Sequence, residues 1–131
     1  MSDRTWTPVF LPADVPQPAG AYSPAVRAGD FVFVSGQVPK DLRTGIVVGE
    51  TVEAQAEQVV RNLREVLTAA GASIDDVVST TIYLENEQDW TSVNELWKTF
   101  FRTPYPSRTT VGARLRGVLI EVSAVAYLPQ R

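Results

Sequence analysis

Two residues stand out for the chemistry they could do. Arg108 lies in Pro106-Ser107-Arg108-Thr109-Thr110-Val111, and Glu121 lies in Leu119-Ile120-Glu121-Val122-Ser123-Ala124-Val125-Ala126. Both runs are otherwise apolar or β-branched and read as neighbouring strands. Strand residues alternate faces, so Ile120, Val122, Ala124 and Ala126 share one face. Glu121 points to the other face with Ser123, Val125 and Tyr127. A carboxylate inside such a run is costly to bury unless it is paired or hydrogen-bonded. A guanidinium offers a planar fork that matches a carboxylate. Either Arg108 and Glu121 serve each other, or they serve a ligand.

What the chain lacks narrows the options. It has no cysteine and no histidine. That removes thiol nucleophiles, disulfides, Ser-His-Asp triads and the usual zinc and haem ligands. With no histidine, a carboxylate is a natural candidate for acid–base work. The formal net charge is −3, so no overall basic field favours nucleic acid. No apolar run has the length of a membrane span, and none follows Met1-Ser2-Asp3-Arg4 as in a secretory signal. The expectation is a cytoplasmic protein with neither a membrane nor a nucleic-acid partner. At 131 residues, 1–131 is read as a single domain, with 1–19 a proline-rich arm carrying Pro8, Pro12, Pro16 and Pro18.

The elements that must position Arg108 and Glu121 follow from periodicity. Phe31–Gln37 is a strand, and Ile46-Val47-Val48 reads as a short one after the Thr44-Gly45 turn. Thr51 is an N-cap candidate. From Val52 through Ala56, Val59, Val60, Leu63, Val66, Leu67 and Ala70, apolar residues recur at helical spacing and stop at Gly71. Val77–Leu84 is a strand. A second helix carries Trp90, Val93, Leu96, Trp97, Phe100 and Phe101, and Pro104 and Pro106 end it. Trp90 and Trp97, seven apart, read as core packing. Arg61 and Arg64, beside Glu57 and Glu65, read as surface pairs. Two strands follow, joined through Arg114-Leu115-Arg116-Gly117. The order is ββαβαββ, an α+β fold in which two helices cover one face of a mixed sheet. The other face is left open, which points to a homo-oligomer.

Several stretches together carry a resemblance. They are Gly20-Ala21-Tyr22-Ser23, Val34-Ser35-Gly36-Gln37, Gln55 with Asn62-Leu63, Val93-Asn94 with Phe100-Phe101, Pro106-Ser107-Arg108, and Ile120-Glu121-Val122. In this order and spacing, the chain from about Gly20 to Ala126 resembles the RidA (YjgF) family of enamine/imine deaminases. The resemblance implies a chorismate-mutase-like protomer in a homotrimer, with a cleft at each subunit interface. It implies hydrolysis of a small reactive 2-enamino or 2-imino acid to a 2-oxo acid and ammonia, with no cofactor and no metal.

The resemblance also assigns positions. Arg108 would hold the substrate carboxylate. Glu121 would position or activate the hydrolytic water, or alternatively neutralise Arg108 or Arg114. Tyr22 would line the pocket, from the neighbouring subunit, and Ser35 and Gly36 would bring backbone close to the ligand. Asn94 would stand near the site, and could equally be a polar helix residue. Thr110 occupies a position where many relatives carry cysteine, so its backbone amide rather than a thiol would face the carboxylate. Departures such as Ala21, Pro24 and Glu85-Asn86 bear on substrate choice more than on reaction type. The alternative is a non-catalytic trimeric module that binds a small carboxylate or acts like a chaperone. A ribonuclease is disfavoured by the acidic charge, the missing histidine and the lack of a basic–aromatic strip.

Overall fold

The computed structural model describes residues 4–129. Six strands form one sheet: β1 (Thr7–Val9), β2 (Ala25–Ala28), β3 (Phe31–Gln37), β4 (Val77–Leu84), β5 (Ser107–Gly112) and β6 (Ile120–Tyr127). Helices α1 (Val52–Ala69) and α2 (Trp90–Phe100) complete the fold. The sheet order is β1-β2-β3-β6-β4-β5. Only β4 and β5 run parallel, and α2 supplies the crossover that parallel neighbours need. The α+β architecture with a mixed sheet is as the sequence reads.

Two differences concern the strands before α1. The proline-rich arm is not merely extended, because Thr7–Val9 pairs with Ala25–Arg27 at the sheet edge. An edge is where a strand tolerates Pro8, whose missing N–H costs no ladder bond there. Conversely, Ile46–Val48 is not a strand. It contributes only an isolated bridge between Val47 and Lys40, and all three side chains are exposed. With no sheet partner alongside, β-branched propensity alone does not make a strand. The hairpin before α1 is β2–β3, turning at Gly29, whose φ of 59° suits glycine.

The core forms where α1 lies on the sheet. Thr51 caps α1, its side chain accepting from the Ala54 N–H at 3.1 Å. Val52, Ala56, Val59, Val60, Leu63, Val66 and Leu67 are buried against Val32, Val34, Ile82, Leu84, Ile120, Val122, Ala124 and Ala126. Alternation along β6 is regular: Ile120, Val122, Ala124 and Ala126 face the helices, and Glu121, Ser123, Val125 and Tyr127 face away. On the open face Phe31 stacks with Phe33 and Tyr127, ring centroids 6.5 Å and 5.4 Å apart, and all three rings are exposed.

Two buried amides on α1, one of them backed by Gln58, hold the loops that follow β3 and β5. Asn62 Nδ2 donates to the carbonyls of Val38 and Lys40 at 3.0 Å and 2.8 Å, while its Oδ1 accepts from Gln58 at 2.8 Å. Gln55 donates to the Gly49 carbonyl at 3.1 Å and accepts the Leu119 N–H at 2.7 Å. Buried amides of this kind are costly unless satisfied, and these are. Among the described residues, no helix is long and apolar enough to cross a membrane.

Candidate active site

Strand register decides where Arg108 points. On β5 it lies beside Thr80 of β4, which pairs in turn with Ala124 of β6. Thr80 and Ala124 are buried beneath the helices, so Arg108 is on the helix side of the sheet. There, Arg108 Nη1 donates to Asn94 Oδ1 at 3.0 Å. The guanidinium carbon lies 5.2 Å from the centroid of the Trp90 ring. Trp90 and Asn94 are one turn apart on α2, so they present a single stripe to the arginine. Arg108 makes no ion pair with any described residue. A half-buried guanidinium is thus held by neutral groups.

Two clefts flank this arginine. One, of about 300 Å³, is lined by Asn94, Trp97, Lys98, Tyr105, Pro106 and Arg108. The other, of about 420 Å³, is lined by Leu84, Glu87, Trp90, Thr110, Val111 and Gly112. Thr110 stands two residues along β5 on the same face as Arg108. Its buried Oγ1 has no hydrogen-bond partner, which is costly in a finished structure and marks a place where a polar group would be welcome.

Glu121 lies on the opposite face. It pairs across the ladder with Tyr83, and its carboxylate makes no hydrogen bond or ion pair with a described residue. Neither Arg108 nor Arg114 neutralises it within the protomer. Its position is set by β3 instead. The β3–β6 register shifts between Val34 and Gln37, so Ser35 and Gly36 form a bulge there. A Cβ built on Gly36 would collide with Glu121 Oε2 and sit 3.1 Å from Cδ and 3.3 Å from Cγ. The glycine is needed for close approach rather than for an unusual backbone angle, since its φ is not positive.

Ser35 has a supporting part. Its hydroxyl donates to the Ser23 carbonyl at 2.7 Å, and its N–H donates to the Pro24 carbonyl at 3.0 Å. Both bonds fix the segment that carries Tyr22. The Tyr22 ring, 59% exposed, lines a cleft with Gly36 and Gln37. Tyr22, Ser35, Gly36 and Glu121 therefore form one group, and Arg108, Asn94 and Thr110 form another. A single protomer does not bring the two together.

Other readings change with the structure. Trp97 is buried, but Trp90 is 45% exposed because the first residue of α2 overhangs β5 at the sheet edge. Helical spacing places the two tryptophans on one face, but only the inner one meets core. Arg61 bonds Gln58 at 3.2 Å, and neither Arg61 nor Arg64 pairs with Glu57 or Glu65. Glu65 is taken by Arg43, which also grips Asp14 of the arm at 2.8 Å. No group of three His, Cys, Asp or Glu side chains among the described residues could hold a metal ion.

Comparison with known proteins bears on the family and the fold. The family model described as endoribonuclease L-PSP matches residues 13–128. A RutC family protein of Pyrococcus horikoshii is 40% identical over 121 residues, covering 91% of this chain and 96% of its own. A 2-iminobutanoate/2-iminopropanoate deaminase of Mus musculus is 39% identical over 120 residues, covering 90% and 89%. The crystal structure of RidA from the Antarctic bacterium Psychrobacter sp. PAMC 21119 superposes with a TM-score of 0.82 at 33% identity, covering 90% of this chain and 98% of that one. With a family model spanning nearly all of the sheet and both helices, the chain belongs to the RidA (YjgF) family.

Proposed function

We propose that this protein hydrolyses small 2-imino and 2-enamino acids to 2-oxo acids and ammonia, in sites completed by two copies of the chain. The observation that carries the reading is the state of Arg108. A half-buried guanidinium with no acidic partner, braced by Asn94 and Trp90, is a ready anchor for one carboxylate. Charge-assisted bonds of that type contribute roughly 1.5–3 kcal/mol each. The deaminase name carried by relatives near 40% identity supports the same chemistry.

In this reading Arg108 fixes the substrate α-carboxylate, and so the direction of its C=N bond. Glu121 of the other copy takes a proton from water as the water oxygen bonds to the imine carbon. Glu121 passes that proton to the nitrogen, leaving a carbinolamine, and then moves the carbinol hydroxyl proton to the nitrogen as the C=O bond forms and the C–N bond breaks. Water thus supplies the oxygen of the 2-oxo acid, and nitrogen leaves as ammonia. One carboxylate acts first as base and then as acid, a role typically worth about 10²–10⁴-fold. Tyr22 closes the pocket on the Glu121 side. The exposed Phe31, Phe33 and Tyr127 rings supply the apolar area for assembly, as a homotrimer.

The test traps free imine with semicarbazide while an amino-acid oxidase or a serine or threonine dehydratase generates it. Wild type is expected to divert the imine to 2-oxo acid, and Arg108→Ala is expected not to. Equal trapping with and without wild-type protein, across several imines, would favour the non-catalytic carboxylate-binding module instead.

A further inference from the structure

Three cations border the Glu121 carboxylate. Lys40, Arg114 and Arg116 line a cleft of about 320 Å³ together with Glu121, over a floor that includes buried Val118. None of the three side chains makes a hydrogen bond or ion pair with a described residue. The adjacent carboxylate of Glu85 accepts the Leu115 N–H at 2.6 Å and forms no ion pair with them. Three cations against the two carboxylates of Glu121 and Glu85 leave a small surplus of positive charge, in a chain whose formal net charge is −3. Positive charge concentrated in one concave place attracts anions even on an acidic protein.

The backbone beneath these cations is fixed. The segment carrying Arg114 and Arg116 is held at Leu115 by Glu85 and at Leu119 by Gln55, and it turns at Gly117, where φ is 76°. The Lys40 carbonyl is held by Asn62 at 2.8 Å. An anion entering this cleft meets charges whose anchor points are already placed, which lowers the ordering cost of binding.

We infer that this cleft takes a second anionic group of the substrate, so that the preferred substrate is a 2-imino acid with a carboxylate at the far end of its side chain. The inference rests on the deaminase reading. Arg108 of one copy holds the α-carboxylate, the C=N bond lies at Glu121 of the other, and the side chain runs past Glu121 to Lys40, Arg114 and Arg116. A monocarboxylate leaves those three charges unused. A nucleic-acid backbone is a poorer match, since it asks for a stripe of cations with stacking rings rather than three around one small pocket.

The experiment has a binding arm and a kinetic arm. Calorimetry on the assembled protein compares succinate with propanoate, for wild type, for the Arg114→Gln/Arg116→Gln double variant, and for Arg64→Gln as a surface control. Succinate is expected to bind wild type about tenfold more tightly, the worth of one added charge-assisted contact. That preference should vanish in the double variant and persist in Arg64→Gln. The kinetic arm compares 2-iminosuccinate, made from aspartate by an oxidase, with 2-iminopropanoate, made from alanine. The kcat/KM ratio should favour the former and fall by about the same factor in the double variant. Equal affinities in wild type, or a preference that survives the double variant, would overturn the assignment. So would a short RNA that displaces succinate and loses affinity in the same variant. Turnover of neither imine, with the succinate preference intact, would refute the deaminase reading while supporting the anionic cleft.

Discussion

The two halves of the candidate site are built on opposite principles. On the β5–α2 side the functional charge is held by direct bonds: Asn94 fixes one Arg108 nitrogen and Trp90 covers the guanidinium face. On the β3–β6 side the Glu121 carboxylate has no bond to a described residue, and a missing side chain at Gly36 makes its room. An anchor gains from rigidity, because it must orient a ligand. A group that passes a proton from water to nitrogen gains from having its lone pairs unoccupied. The separation of the halves across one sheet also explains why the two opposite charges do not cancel within a protomer.

If the halves differ in this way, their substitutions should differ in kind. Arg108→Ala is expected to have the largest effect, lowering kcat/KM by about 10²–10⁴-fold through loss of two charge-assisted bonds. Thermal stability should hold, since no ion pair is broken, and Arg108→Lys should restore little because an ammonium lacks the planar fork. On the other side, Gly36→Ala should fold normally. The clash falls on the far end of a flexible carboxylate, and the backbone angle suits alanine. It should nonetheless reduce kcat by up to about 10²-fold, the scale of an ångström-sized misplacement. It should do so with a smaller change in KM, and Glu121→Gln should match that pattern. A Gly36→Ala enzyme with normal kinetics would remove the argument for close approach.

Trp90→Ala comes next, costing about two- to fivefold in kcat/KM, as expected for an exposed cation–π contact. Steady-state kinetics on that variant separates a brace from a bystander. The smallest effect concerns the loop beside Lys40. The Thr44 N–H, and then the Arg43 N–H, bond the Asp41 carboxyl and hold its pKa below the ordinary 3.8. A depressed carboxyl stabilises the fold above the ordinary pKa, and that contribution is lost as pH falls through the lowered value. NMR should therefore show the Thr44 amide titrating with Asp41 at a midpoint below 3.8.

Much of this is legible in the sequence. The helix spacing, the Val77–Leu84 strand and the alternation of β6 follow from periodicity, because burial imposes it. Arg108 and Glu121 were visible as charges in runs that should carry none. What the sequence hid was their relation. Each strand's alternation is readable, but register between β5 and β4 is a tertiary fact, and it alone puts Arg108 on the helix face. The brace by Trp90 was missed because helical spacing does not reveal where a helix end overhangs a sheet. Gln55 and Asn62 stand out in the sequence as motif residues, but their grip on the loops beside Glu121 links residues up to 64 apart in the chain. The supposed strand at Ile46–Val48 failed for the complementary reason: suitable residues had no neighbour to pair with.

The central claim is that the site is shared between copies of the chain, and subunit mixing tests it most directly. Arg108→Ala and Glu121→Gln chains, each nearly inactive alone, would be co-expressed with different tags and the mixed oligomers purified through both. The account predicts that activity reappears. In a trimer purified through both tags, one interface in about three would join an intact Arg108 to an intact Glu121. Mixed oligomers no more active than their two parents would place both residues in a site within one chain, or in no common site, and would contradict the account.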